Sequence, residues 1–186
     1  AIFVSGNGTN MVEIARRAQS GELDCDIALI VFDNPEAFAL KRAEPFHLAT
    51  WVVERKNFKD RAEFDTAISA KLKEKKVDFI LLAGFMRILG PEFVREWRGR
   101  ILNIHPSMLP KYPGAHAIRD AFEAGEKETG VTAHFVDEGV DTGPVLLQRK
   151  VPVQPGEPLE ALEARVHAVE YELYPEAVRI FLKNLL

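Results

Sequence analysis

The stretch Ile2-Phe3-Val4-Ser5-Gly6-Asn7-Gly8-Thr9-Asn10 is an apolar run followed by a glycine turn and the start of a helix pattern. The apolar run predicts a strand, and residues 10–20 predict a helix because apolar residues recur there at helical spacing. The glycines let backbone N–H groups face a bound anion, and a helix start adds partial positive charge. This strand–turn–helix unit therefore predicts either a phosphate cradle or a tight turn without a ligand. Thr9 or Asn10 is expected to cap the helix.

Strand-like and helix-like segments alternate along the rest of the chain. Apolar runs predict further strands at residues 27–32, 47–53, 79–83, 101–104, 132–136 and 145–153. Helical spacing predicts helices at residues 35–42, 60–75, 91–97, 117–124 and 159–186. The last two strands are joined by a short turn at residues 141–144, which predicts an antiparallel pair. Pro175 is expected to kink or split the last helix.

This alternation predicts a single α/β domain over residues 1–186. We expect a Rossmann-like, mostly parallel sheet with helices on both faces and an antiparallel strand near the C-terminal part. In such sheets ligands bind beyond the carboxyl ends of the strands. The glycine turn, the Ala83-Gly84 turn and residues 103–107 are therefore expected to form one cleft.

Composition narrows the classes of partner. The formal net charge is −4, and no basic run or basic-aromatic stripe indicates binding to nucleic acid. The longest apolar runs are too short to span a bilayer, so no membrane partner is expected. The first residues show no charged leader or cleavage site, and Cys25 is the only cysteine. A reducing compartment, the cytoplasm, is therefore the predicted location.

The segment Asn103-Ile104-His105-Pro106-Ser107-Met108-Leu109-Pro110 carries the most chemistry. On an extended chain Asn103 and His105 point to the same side, and the prolines limit how the segment can move. An amide donor, an imidazole and the downstream carboxylate of Asp141 form a set suited to acyl transfer. The alternative is a turn with a satisfied histidine. Residues 82–89 could likewise wall a flat heteroaromatic ligand, or could simply be core packing.

Four stretches in chain order resemble the glycinamide ribonucleotide formyltransferases of the folate-dependent formyltransferase superfamily. They are Gly6-Asn7-Gly8-Thr9-Asn10, Leu82-Ala83-Gly84-Phe85-Met86-Arg87-Ile88-Leu89, Asn103-x-His105-Pro106-Ser107-x-Leu109-Pro110 and Asp141-x-Gly143-Pro144. The Asn-x-His and Asp set is common to the superfamily, whereas the glycine-rich first turn is narrower. Met108 and Thr9 are mild departures, standing where Leu and Ser are usual. The resemblance implies formyl transfer from 10-formyltetrahydrofolate to the amine of glycinamide ribonucleotide in de novo purine biosynthesis.

The resemblance also implies roles for individual residues. Asn103 and His105 would stabilise a tetrahedral intermediate, and Asp141 would favour the protonated imidazole. The residues implied to bind the ribonucleotide are Gly8, Thr9, Asn10, His167, Ala168, Val169 and Glu170. Those implied to bind the folate are Arg61, Met86, Arg87, Ile88, Leu89, Asn103, Asp137, Glu138, Gly139, Val140 and Asp141. The formyl folate is a donor substrate, and no metal is expected. On spacing alone, Glu170 and Arg61 are surface charges.

Other functions stay open. Gly6, Gly8 and Asp33 could serve a dinucleotide oxidoreductase, although Met11 stands where that fingerprint has a third glycine. A folate or sugar-phosphate binding module would need no catalysis, and a formyl folate deformylase would direct the same imidazole at water. His105, His134 and Asp141 are legitimate metal ligands, but no close-spaced histidine pair supports a metal site. The sequence does not indicate an oligomeric state.

Overall fold

The computed structural model describes residues 1–185, in which strands and helices alternate as the sequence predicts. The strands are β1 Ile2–Val4, β2 Ile30–Phe32, β3 Thr50–Val52, β4 Ile80–Leu82, β5 Ile101–His105, β6 Glu128–Phe135 and β7 Val145–Pro152. The α-helices are α1 Thr9–Gln19, α2 Phe38–Ala43, α3 Arg61–Glu74, α4 Pro91–Glu96, α5 Ala117–Glu123 and α6 Leu159–Leu185. Short 3-10 turns cover Glu44–Phe46 and Arg55–Asn57.

The strands described within residues 1–185 form one seven-stranded sheet in the order β3-β2-β1-β4-β5-β6-β7. β1 pairs in parallel with β2 and β4, and β2 pairs in parallel with β3. β6 and β7 are antiparallel. The predicted α/β class, with a mostly parallel sheet and an antiparallel pair near the C-terminal part, is confirmed.

The chain divides into two compact units, Ala1–Leu102 and Asn103–Leu186. In the first unit, β1, β2 and β4 bury every residue, as expected of parallel strands covered on both faces. β3 lies at the edge of the sheet and exposes Thr50 and Val52. The strands β1, β2 and β4 therefore form the core of this unit.

In the second unit, the β6–β7 hairpin packs against the long helix α6. Phe181 of α6 meets Phe135 of β6 edge to face, with ring centroids 5.7 Å apart. The helix runs unbroken through Pro175, so it is not split there, and the alternative expectation of a kink stays a prediction. Proline removes one backbone hydrogen bond, but Pro175 is buried, and packing on both sides of it keeps the helix continuous.

Several predicted boundaries are displaced. β6 begins at Glu128 rather than at residue 132, and β2 begins at Ile30 rather than at residue 27. The helix predicted from residue 35 begins at Phe38, because Asn34 accepts a hydrogen bond from the Glu36 amide and forms a turn first. None of the helices within residues 1–185 is long and apolar enough to cross a membrane.

Candidate active site

The strand β5 carries two of the predicted catalytic side chains. Asn103 and His105 lie inside β5, two positions apart, and therefore leave the strand on the same side. Asn103 is partly exposed, whereas His105 is 5% exposed. The sequence predicts a strand that ends at residue 104, and the structure extends it by one residue to His105, so that the strand fixes the backbone of both residues.

Asp141 is brought to His105 by a strained turn. It lies between β6 and β7 with a φ of +54°, a conformation that side chains other than glycine rarely adopt. Its Oδ2 atom is 3.4 Å from His105 Nδ1, and its Oδ1 atom is 3.6 Å from His134 Nε2. The backbone N–H of Gly114 donates to Oδ2 at 2.8 Å. The turn therefore holds a carboxylate against two imidazole rings.

The surroundings of Asp141 favour its charged form. Burial alone would raise the pKa of this carboxyl, but a facing His134 ring that carries a hydrogen on Nε2, the Gly114 N–H and the positive charge that His105 can carry lower the pKa below its ordinary value. Asp141 is therefore a carboxylate at neutral pH, and it is available to stabilise a positive charge on a neighbouring imidazole.

The other nitrogen of His105 faces the loop that follows β5. Its Nε2 donates to the Tyr112 carbonyl oxygen at 2.8 Å, since a carbonyl can only accept. Tyr112 and Gly114 thus join the same loop to His105 and to Asp141. Both ring nitrogens of His105 face oxygen atoms, an environment that satisfies a protonated imidazole.

A buried hydroxyl fixes the first part of this loop. Thr132 of β6 donates to the Ser107 carbonyl at 2.6 Å and accepts from the Leu109 N–H at 3.2 Å. Gln148 of β7 donates both to the Thr132 hydroxyl at 2.8 Å and to the Leu109 carbonyl at 2.9 Å. The β6–β7 hairpin therefore sets where the chain goes after His105.

His134 is a site residue whose role the sequence did not predict. It is buried on β6, and its Nε2 lies 3.1 Å from Asn103 Nδ2. A signal was present, since a buried histidine needs partners for both ring nitrogens, but the identity of those partners depends on the fold. Within residues 1–185, no group of three or more His, Cys, Asp or Glu side chains is arranged to hold a metal ion.

The glycine turn of the first unit is built as a helix start without a side-chain cap. Gly8 is the N-cap of α1 with a φ of +77°, and no side chain within residues 1–185 caps this end. Thr9 and Asn10 are the first helical residues, so the expectation that one of them is the cap is wrong. A Cβ on Gly8 would collide with Ala39, which explains the glycine. The first-turn N–H groups of a helix have no partner within the helix, so the start of α1 is a site at which an anion can bind.

Four of the residues implied to bind folate follow β4 in the first unit. Met86 and Ile88 are 67% and 60% exposed, whereas Leu89 is buried. Arg87 pairs with the buried Asp33 at 2.6 Å, and both help line a cavity of about 490 Å³. Met86 and Ile88 are thus exposed apolar side chains rather than core.

Asp65 of α3 anchors the end of this segment. Its Oδ2 accepts from the Gly90 N–H at 2.7 Å, at the start of α4. Arg61, also implied to bind folate, is exposed at the start of α3, as its spacing indicated. A Cβ placed on Gly90 would lie 3.5 Å from Arg61 Nε, so this guanidinium lies beside the anchored turn.

The turn before Asp141 is ordered by Asp137. Its Oδ1 accepts from the Gly139 N–H at 3.0 Å and from the Thr142 hydroxyl at 2.7 Å. Glu138 and Val140 are exposed in this turn. This turn, in which residues 138–140 are exposed, is therefore held in a fixed shape directly before Asp141.

Glu170 on α6 is not a surface charge, contrary to the interpretation from spacing. It is 5% exposed, and His167 Nδ1 lies 2.8 Å from its Oε2. The hydrogen bond to Glu170 raises the pKa of His167 above its ordinary value, although burial opposes this. Ala168 is exposed and Val169 is half-buried on the same helix.

The structure brings Asn103, His105 and Asp141 together, whereas the predicted cleft shared with the glycine turn stays a prediction.

Comparison with known proteins gives the family. The family model described as formyl transferase matches residues 1–178. The phosphoribosylglycinamide formyltransferase of Bacillus subtilis is 41% identical over 179 residues, which are 96% of this chain and 92% of that protein. The trifunctional purine biosynthetic protein adenosine-3 of Drosophila melanogaster is 43% identical over 99% of this chain, which spans 14% of that longer protein.

Solved structures agree. The crystal structure of glycinamide ribonucleotide transformylase 1 from Geobacillus kaustophilus is 48% identical, with a TM-score of 0.94 over 97% of this chain and 96% of that one. The phosphoribosylglycinamide formyltransferase structure from Bacillus halodurans is 41% identical, with a TM-score of 0.94 over 97% of this chain and 93% of that one. The sequence-based expectation of a formyltransferase is confirmed: the chain belongs to the formyl transferase family.

Proposed function

We propose that this chain transfers the formyl group of 10-formyltetrahydrofolate to the amine of glycinamide ribonucleotide, a step of de novo purine biosynthesis in the cytoplasm. The observation that carries the proposal is that Asn103 and His105 leave β5 on the same side, with Asp141 3.4 Å from His105. Family membership and the printed names of the relatives support this choice of substrates. A single cysteine, Cys25, is compatible with a reducing compartment.

The proposed reaction is a direct acyl transfer. The amine nitrogen of the ribonucleotide attacks the formyl carbon, and the carbonyl electrons move onto oxygen to give a tetrahedral oxyanion. The bond between that carbon and folate N10 then breaks, and the proton lost by the amine is delivered to N10. No covalent enzyme intermediate is part of the proposal, because the amine itself is the nucleophile.

Asn103 and the protonated His105 are proposed to stabilise the oxyanion. Asn103 donates through its Nδ2 N–H, and removal of one such donor commonly lowers kcat about 10²- to 10³-fold. His105 contributes a positive charge that the Asp141 carboxylate stabilises at 3.4 Å. Because His105 Nε2 is bonded to the Tyr112 carbonyl, that bond has to be exchanged for one to the substrate before His105 can donate.

The remaining implied residues are assigned to substrate binding within the same proposal. Gly8, Thr9 and Asn10 would hold the phosphate, supported by the uncapped start of α1. Glu170 would accept from the ribose hydroxyls, with His167 engaging its Oε2 and with Ala168 and Val169 alongside.

The folate is assigned to two further sets of residues. Met86, Arg87, Ile88 and Leu89 would line the pterin pocket, which the two exposed apolar side chains support. The ordered backbone of residues 137–140 would contact the pterin edge, and Arg61 the carboxylates of the folate tail.

Product analysis tests the proposal against its main competitor, hydrolysis of the formyl folate. The protein is incubated with 10-formyltetrahydrofolate, with and without glycinamide ribonucleotide, and both formylated amide and free formate are measured. The proposal expects amide to form in step with folate consumption, and little consumption without the ribonucleotide. Formate release at the same rate under both conditions would identify a deformylase. Binding of both compounds without turnover would identify a binding module.

A further inference from the structure

His134 is placed by an irregularity of its strand. The β6–β7 pairing shifts register between Ala133 and His134, so that Ala133 faces Leu147 while His134 faces Val145. Such bulges occur beside active sites, where they redirect a side chain. His134 is 2% exposed and contacts both Asn103 and Asp141. The register shift therefore directs this ring at the candidate catalytic residues.

The neighbours of His134 define which nitrogen carries the proton. Nδ1 lies 2.8 Å from the Phe135 carbonyl oxygen, which can only accept, so Nδ1 carries a hydrogen and donates it. In the neutral ring Nε2 then has a lone pair and accepts. The group at hydrogen-bond distance from Nε2 is Asn103 Nδ2, at 3.1 Å. Asp141 Oδ1 lies farther away, at 3.6 Å, which is beyond hydrogen-bond distance. The neutral ring therefore gives Asp141 no hydrogen bond, and the Gly114 N–H and His105 are the groups that stabilise the carboxylate.

This arrangement determines how the Asn103 amide is turned. The inverted amide would place the Asn103 carbonyl oxygen against the lone pair of His134 Nε2, and two acceptors would face each other. The observed orientation satisfies one of the two Nδ2 hydrogens and leaves the second for another acceptor. Asn103 Oδ1 is kept away from that position.

We infer that His134 is a positioning residue, which holds the Asn103 amide with its N–H directed at the developing oxyanion. The inference rests on the proposed function and deepens it, since the Asn103 N–H can reach the oxyanion only if the amide group is not inverted. A neutral ring with its proton on Nδ1 is required. A ring protonated on both nitrogens would donate from Nε2 and would favour the inverted amide.

Kinetics of single and double variants test the inference. His134→Leu removes the acceptor and is expected to lower kcat about 10- to 100-fold with little change in KM, less than the ~10²- to 10³-fold lost with the donor itself. His134→Gln carries an amide oxygen that can reach the Nε2 position, and it is expected to recover part of this loss. When Asn103 is already alanine, His134→Leu should cost no more than about threefold, because the two act as one unit.

The outcomes separate this inference from the proposed function. If His134→Leu lowers kcat by the same factor in the wild type and in the Asn103→Ala variant, His134 supports only the fold. A His134→Leu variant as fast as an active wild type would overturn the positioning role alone. A wild type that transfers no formyl group would overturn both the proposed function and this role.

A spectroscopic measurement checks the protonation state without using activity. Nitrogen-15 NMR of histidine-labelled protein at neutral pH distinguishes a nitrogen that carries a hydrogen from one with a lone pair. The inference expects His134 to be neutral, with hydrogen on Nδ1 only. A signal for hydrogen on Nε2 would overturn it, whatever the kinetics of the variants.

Discussion

The Asp141→Asn substitution removes the negative charge beside His105 and keeps the size of the side chain. The separation of Asp141 Oδ2 and His105 Nδ1 is 3.4 Å, at which two opposite unit charges attract by about 5 kcal/mol for an effective dielectric constant of about 20. Burial of the carboxylate opposes part of this attraction, and the asparagine dipole retains another part. About 2–3 kcal/mol is therefore expected to be lost from the charged pair, which lowers kcat about 30- to 150-fold.

The assay is formyl transfer at saturating substrates across a range of pH. The pKa of the Asp141 carboxyl is lowered, so the wild type carries this charge at neutral pH and loses it only as pH falls through that lowered pKa. The loss of kcat in Asp141→Asn is therefore expected to be full at neutral pH and to shrink toward acid pH. KM for the ribonucleotide should change little, because Asp141 is not assigned to the phosphate. Asp120→Asn removes the same charge from an exposed position on α5 and serves as the control. Wild-type kcat at neutral pH in Asp141→Asn, or a loss of kcat that stays the same down to acid pH, would refute the role given to the pair.

Two further predictions concern stability. In urea unfolding, Gly8→Ala should lower the free energy of unfolding more than Gly21→Ala does. Both glycines have a positive φ, so a side chain at either position costs about 1–2 kcal/mol. Only a Cβ at Gly8 would collide with Ala39, which adds about 1–3 kcal/mol. Equal losses would contradict the collision. The bond to Glu170 raises the pKa of His167, so its stabilisation is present below the ordinary histidine pKa and is lost as pH rises through the raised one. His167→Gln should therefore lower the free energy of unfolding more at about pH 5.5 than at about pH 9; a constant difference would argue against the pair.

The buried strands could be predicted because a strand covered on both faces contains almost only apolar residues. β1, β2 and β4 fit this pattern, and each buries all of its residues. The first half of β6 could not be predicted, since Glu128 and Gly130 have low strand propensity. Their place in the strand comes from pairing with β7, where Glu128 faces Pro152 and Gly130 faces Lys150.

Part of the candidate site could likewise be predicted from the sequence, and part could not. Asn103 and His105 could be predicted as a pair, because their spacing of two acts within one strand. The neighbourhood of His134 could not, since it depends on a register shift between β6 and β7. Spacing alone indicates a surface charge at Glu170, yet it is buried beside His167 one helical turn away. The spacing of three between these residues was a usable signal.

The most direct test of the account is a single-turnover experiment with formyl-labelled 10-formyltetrahydrofolate and glycinamide ribonucleotide. We predict that the label passes to the ribonucleotide amide in one step, with no labelled protein, and that Asn103→Ala slows this step about 10²- to 10³-fold. Label found in formate, label attached to the protein, or an Asn103→Ala variant as fast as wild type would contradict it.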